Sequence, residues 1–336
     1  MSHEILNSHE MEIVQSGPES GAFGRRLFMS GVLGVAGALA ADRLSLEFMR
    51  DSLTTEVAVL DEHKHYESDS LWVIIPGLGV QSGLGIASVL RPTLERMAPV
   101  SYLQFADEGV SLPDISQKIE LLRRERGVTK LHIYAHSMGG TTMLNLLPGL
   151  SRDIELQTII LDSSPFTEMD VRRDALGAMI TGNLPRGYRG GLLSKLGMEG
   201  WNNMVAHKNN DLSLQQQWRE TVRIARTGVS SKVWLDQMYL LDHTDPKEFR
   251  AYIPPAVHAA FCTSMDENAD KTVYAPHAAQ EWKESIFDGR LHMLWLPNTG
   301  HANPTDRPRE YNDGIYNWLF PPPPIPRNIP GRMTAI

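Results

Sequence analysis

Leu131-His132-Ile133-Tyr134-Ala135-His136-Ser137-Met138-Gly139-Gly140 is the stretch that decides how this chain folds. Residues 131–135 read as a strand, and a helical pattern starts at once and runs over 139–150. The five residues Ala135-His136-Ser137-Met138-Gly139 fit a G-x-S-x-G turn with alanine in the first place. A serine on so sharp a strand-to-helix turn takes a strained backbone conformation. The positions two before and two after it are crowded, so small side chains belong there. The turn lifts the hydroxyl above the sheet edge. The helix N-terminus beneath it favours negative charge that develops nearby.

Outward from this point the same rhythm repeats. Upstream, residues 71–75 form an uninterrupted apolar run, as expected of a strand buried on both faces. Residues 85–97 show helical spacing, with Pro92 as a candidate kink, and 100–105 is a further strand. Residues 114–126 form an amphipathic helix with Ile115, Ile119 and Leu122 on one face. Downstream, 156–161 is a strand. The rhythm then gives way between 166 and 252 to helical patterns without clear strands. These include a Gly/Pro-rich loop at 183–191, expected to be mobile, and a solid helix at 214–227. It resumes with strand 256–262, helix 275–285, strand 291–296 and helix 308–319. Such alternation calls for a parallel sheet with helices on both faces.

The composition is that of a globular protein. The 336 residues are 42% hydrophobic and 21% charged, with a formal net charge of -8. An acidic balance weighs against nucleic acid as the main partner. The single cysteine, Cys262, excludes an intrachain disulfide and a cysteine-rich zinc site. No uncharged apolar run is long enough to span a membrane. Residues 1–41 stand apart. A polar leader precedes Arg25-Arg26, an apolar stretch and Ala38-Leu39-Ala40, which together resemble a twin-arginine export signal. Gly24 before the arginine pair and four glutamates in the leader depart from that pattern. Export to the periplasm or medium is the expectation. A helix kept on a cytoplasmic or membrane-associated protein is the alternative. Residues 321–336 begin with four prolines and read as an extended tail.

A serine hydroxyl is a poor nucleophile at neutral pH and needs a base beside it. Of the 12 histidines, His301 stands out because it follows a buried-type strand and the turn Asn298-Thr299-Gly300. It also lies after the serine and near the end of the core, the chain order this elbow uses. His136 adjoins the serine but points elsewhere on the turn, as a structural or pocket-lining residue. The base in turn needs a carboxylate to orient it. Asp270 and Asp266 both follow strand 256–262. Asp270-Lys271-Thr272-Val273 fits the D-x-x-V pattern and favours Asp270. Asp162, at the end of strand 156–161, is a third candidate, or else a simple cap. Pro76-Gly77-Leu78-Gly79 follows the first strand. Its glycines let the backbone aim an amide at the serine, so Leu78 and Met138 are the expected oxyanion donors.

With these parts in order, the chain resembles the α/β-hydrolase superfamily from about Leu71 to Leu319. The resemblance implies an eight-stranded, mostly parallel sheet, a Ser137-His301-Asp270 triad and a helical cap over residues 166–252 inserted into a core of 42–165 and 253–320. It also implies a serine hydrolase that cleaves a small carboxylic ester or thioester through an acyl-enzyme. No cofactor and no metal enter that chemistry. Cap residues Met179, Leu184, Leu192, Leu193, Leu196, Met198, Trp201 and Met204 suit a lipophilic acyl chain. The other functions open to this scaffold are ligand binding without catalysis and acyl transfer to an alcohol or peroxide. His63-Lys64-His65 reads as a solvated loop rather than a metal site, and phosphate-loop and dinucleotide fingerprints are absent.

Overall fold

The apolar runs of the sequence form the middle of a sheet, and the amphipathic segments cover it. The computed structural model describes residues 53–60, 68–78, 80–172, 230–266, 268–301 and 304–322. Its strands are β1 (Glu56–Val59), β2 (Ser70–Ile75), β3 (Val100–Gln104), β4 (Lys130–His136), β5 (Glu155–Asp162), β6 (His258–Ser264) and β7 (His292–Leu296). They lie in the order β1-β3-β2-β4-β5-β6-β7. All pairings are parallel except β1 with β3. The resemblance implied eight strands, and the described residues hold seven. Only residues 53–55 precede β1 in the described chain, too few to add a strand at that edge.

The helices are α1 (Leu84–Leu94), α2 (Leu112–Arg126), α3 (Gly139–Leu146), α4 (Ser231–His243), α5 (Ala275–Ser285) and α6 (Pro308–Leu319). Ile86, Leu90 and Leu94 of α1 and Tyr311 and Ile315 of α6 pack on one face of the sheet. Ile115 and Ile119 of α2, Met143 and Leu144 of α3 and Ala278 and Trp282 of α5 pack on the other. β2 is buried at all six positions, because both faces are covered. The expected kink does not end α1, which continues through Pro92. α3 is shorter than its apolar pattern suggests. Pro148 lacks the amide that would continue it, and the chain tightens into a 3₁₀ turn at Leu147–Gly149. α2 shows both ends of helix chemistry. Ser111 caps its first turn, and Gly127 leaves it with φ 66°, a conformation glycine adopts without strain.

Trp282 measures how tightly one layer is packed. It is fully buried, its ring meets Phe166 edge-on at 5.3 Å, and its indole N–H donates to the Ser164 carbonyl at 3.0 Å. Trp282→Ala is expected to cost about 3–5 kcal/mol of stability, read by chemical denaturation, because a large void and an unpaired carbonyl remain.

Residues 1–52, with the arginine pair and its apolar segment, lie outside the described residues, as do His63 and His65. So do residues 173–229, which hold the expected loop, the helix at 214–227 and the apolar cap positions, and the tail from 323 onward. Among the described residues no helix is long and apolar enough to cross a membrane.

Candidate active site

β3 and β4 lie on opposite sides of β2, so the crossovers diverge between β2 and β4. A crevice opens at such a point, above the carboxyl ends of the strands. The turn after β2 and the serine after β4 meet there. Ser137 has φ 50°, outside the range comfortable for a side chain. Its amide donates to the Asp162 carbonyl at 2.8 Å, which holds the turn against β5. The small neighbours have the reason the sequence implied. A Cβ at Gly139 would stand 2.5 Å from the Ile75 carbonyl oxygen, and one at Gly77 would stand 2.4 Å from the His136 carbonyl and 2.7 Å from the Ser137 Cβ. Ala135 is fully buried in β4, and its extra methyl is accommodated.

The structure brings Ser137, His301 and Asp270 together. Ser137 Oγ and His301 Nε2 are 2.8 Å apart, and His301 Nδ1 lies 3.0 Å from Asp270 Oδ2. Asp270 is 2% exposed, and its other oxygen accepts the amides of Thr272 and Val273 at 2.9 and 2.8 Å. Burial alone would raise the carboxyl pKa. The hydrogen bond and charge of His301 and the two loop amides outweigh it, and the net shift is downward. An ionised carboxylate only accepts, so the proton sits on Nδ1. Nε2 is left to accept from the serine hydroxyl. The His301 loop leaves β7 through Asn298, at φ 54°, and the Thr299 hydroxyl donates to the Leu296 carbonyl at 3.1 Å.

The other candidates stand elsewhere. Asp266 is exposed, and its carboxylate accepts the Asn268 amide in a local turn. Asp162 is neither a cap nor a partner of the histidine ring. It is fully buried and accepts hydroxyls from Tyr134 at 2.6 Å and Tyr311 at 3.0 Å. His136 is 7% exposed and its ring abuts the turn after β2, since a Cβ at Gly77 would stand 3.0 Å from its Nδ1.

Met138 follows the serine in the chain, and Leu78 follows Gly77, which packs against the serine turn. Met138 sits at the N-terminus of α3, with αR backbone and 3% exposure. Among the described residues neither amide donates a hydrogen bond to another residue. What steadies the turn after β2 leaves no local signal in the chain. Helix α4 lies against it. Gln237 is 1% exposed and donates to the Pro76 carbonyl at 3.4 Å. Gln81 spans from the Phe105 carbonyl to the Ser230 amide, at 2.6 and 2.7 Å. These links join positions distant in sequence, and no local pattern announces them. Among the described residues no cluster of three or more His, Cys, Asp or Glu is arranged to hold a metal.

Residues 70–313 match the model of the alpha/beta hydrolase family. Comparison with curated protein sequences gives no match. Several solved structures are similar in fold. A carboxylesterase of the ammonia-oxidizing thaumarchaeon Nitrososphaera gargenis is 14% identical with a TM-score of 0.52, over 80% of this chain and 97% of that one. A lipase-esterase related protein from Clostridium acetobutylicum is 13% identical with a TM-score of 0.51, over 79% and 100%. A meta-cleavage product hydrolase from Pseudomonas fluorescens is 14% identical with a TM-score of 0.50, over 81% and 97%. At these identities the likeness is one of fold.

Proposed function

This chain belongs to the alpha/beta hydrolase family, and we propose that within it the protein is a serine hydrolase acting on a carboxylic ester or thioester. One observation carries the proposal: the continuous line Ser137 Oγ, His301 Nε2, His301 Nδ1, Asp270 Oδ2, with steps of 2.8 and 3.0 Å between residues. Ser137 attacks the acyl carbon while His301 takes its proton. The oxyanion is met by the amides of Leu78 and Met138, and His301 returns the proton to the leaving alcohol or thiol. Water activated by the same imidazole then releases the acid. Asp270 stays ionised and stabilises the imidazolium in both halves of the reaction. A serine at the elbow supports acyl-enzyme chemistry over routes that begin from a carboxylate nucleophile.

The lipophilic acyl chain that the apolar residues of 179–204 suit is the substrate class favoured within this reading. Purified protein is expected to label with a fluorophosphonate at Ser137 and to hydrolyse p-nitrophenyl esters over a range of chain lengths. Absence of both labelling and turnover would leave a binding protein in place of an enzyme. Added alcohol or peroxide distinguishes transfer from hydrolysis by the product formed.

A further inference from the structure

The serine and the histidine are carried by different segments, β4 and the loop after β7, yet their reacting atoms stand 2.8 Å apart. Something must hold those segments in register. The last residue of β5, Asp162, touches the first directly and reaches the second through the helix that follows it. Its backbone carbonyl accepts the Ser137 amide at 2.8 Å, at the point where the chain turns into the strained elbow. Its carboxylate oxygens divide between two hydroxyls. Oδ2 accepts from Tyr134, on the strand that carries the serine, at 2.6 Å. Oδ1 accepts from Tyr311 at 3.0 Å, and Tyr311 stands on α6, the helix that follows the His301 loop. All three side chains are buried, with Asp162 at 0% exposure and Tyr311 at 1%.

Burying a carboxyl is costly, and an apolar residue would fill this place at less cost. Local rules of stability are broken most often where function requires it. We propose that Asp162 is a positioning residue for the hydrolysis proposed above, holding Ser137 and His301 at reacting distance by joining the strand under the serine to the helix behind the histidine. The inference rests on the serine hydrolase reading.

The same placement makes the brace sensitive to pH. The groups facing the carboxyl are Tyr134 on β4, Cys262 on β6 and Tyr311 on α6, with His301 and Asp270 acting through space from the loops above. Burial pushes the carboxyl up to about 7, against the opposing pull of the two hydroxyls and His301. The folded pKa lies above the ordinary 3.8, so the protonated form is the one the fold favours. That contribution to stability is complete below about pH 4 and is lost as pH rises through about 7. When His301 takes up the serine proton, its new charge draws the carboxyl toward its ionised form.

Asp162→Asn tests the proposal. An asparagine keeps one strongly accepting oxygen and cannot ionise, so the two-hydroxyl brace of the ionised carboxylate is lost at every pH. The expected result is a kcat on a p-nitrophenyl ester about 10- to 100-fold lower with KM within about twofold, since slight misplacement of reacting groups acts on the chemical step. An ionisation near pH 7 should also disappear from the kcat profile. A merely structural role would lower the melting temperature and leave the profile in place. Should Asp162→Asn fail to fold, Tyr311→Phe removes one hydroxyl without removing volume. A kcat at least threefold lower at unchanged KM, with slower fluorophosphonate labelling, then supports the proposal. Wild-type protein that neither labels nor turns over overturns the hydrolase reading and this proposal with it. If wild-type protein is active while the variants match it in kcat and pH profile, the positioning role alone is overturned.

Discussion

Ser137→Ala is expected to abolish ester turnover and fluorophosphonate labelling, with kcat falling by about a millionfold toward the uncatalysed rate. The size follows from how the three side chains act. The imidazole has nothing to activate once the hydroxyl is gone, and the carboxylate has nothing to orient, so one substitution disables the set. The fold should survive. Alanine is smaller than serine, and the hydroxyl bonds to the His301 ring. Removing an oxygen from a residue at φ 50° leaves the strain unchanged. A melting temperature close to wild type, measured beside the lost activity, separates the two effects. Turnover that persists in the alanine variant would remove Ser137 from the chemistry.

The two aspartates that follow β6 give the second large contrast. Asp270→Asn is expected to lower kcat by about 10⁴-fold, while Asp266→Asn stays within about twofold of wild type. An asparagine amide facing Nδ1 favours the wrong tautomer, placing the proton on Nε2, where it blocks the base. The Asp266 carboxylate accepts the Asn268 amide in an exposed turn, which asparagine can do equally well. The effect at Asp270 should appear in kcat far more than in KM, because tautomer and charge matter to proton transfer and little to substrate docking. The sign of the pH dependence is also set. The folded Asp270 pKa lies below the ordinary 3.8, so its pairing with His301 stabilises the fold above about pH 4 and is lost as pH falls through the folded value. Equal losses in the two variants would mean that the orienting carboxylate is misassigned.

The amino-acid sequence by itself determined the alternation of strands and helices, the elbow and the order serine, acid, histidine. These are local properties. Apolar runs, helical spacing and small residues around a serine act through neighbours close in the chain, and a sequence displays those neighbours directly. The D-x-x-V pattern leaned toward Asp270 over Asp266, and tertiary structure is what sets Asp270 against the His301 ring. Both follow the same strand and carry the same charge, and only the path of the loop turns one toward the His301 ring and the other toward solvent. The placement of Asp162 was decided in the same way. Its two tyrosine partners come from β4 and from α6, at sequence separations of 28 and 149. The seating of the turn after β2 on α4 through Gln237, at a separation of 161, has the same origin. Contacts of this kind depend on how the helices pack against the sheet, and nothing near either residue in the chain records them.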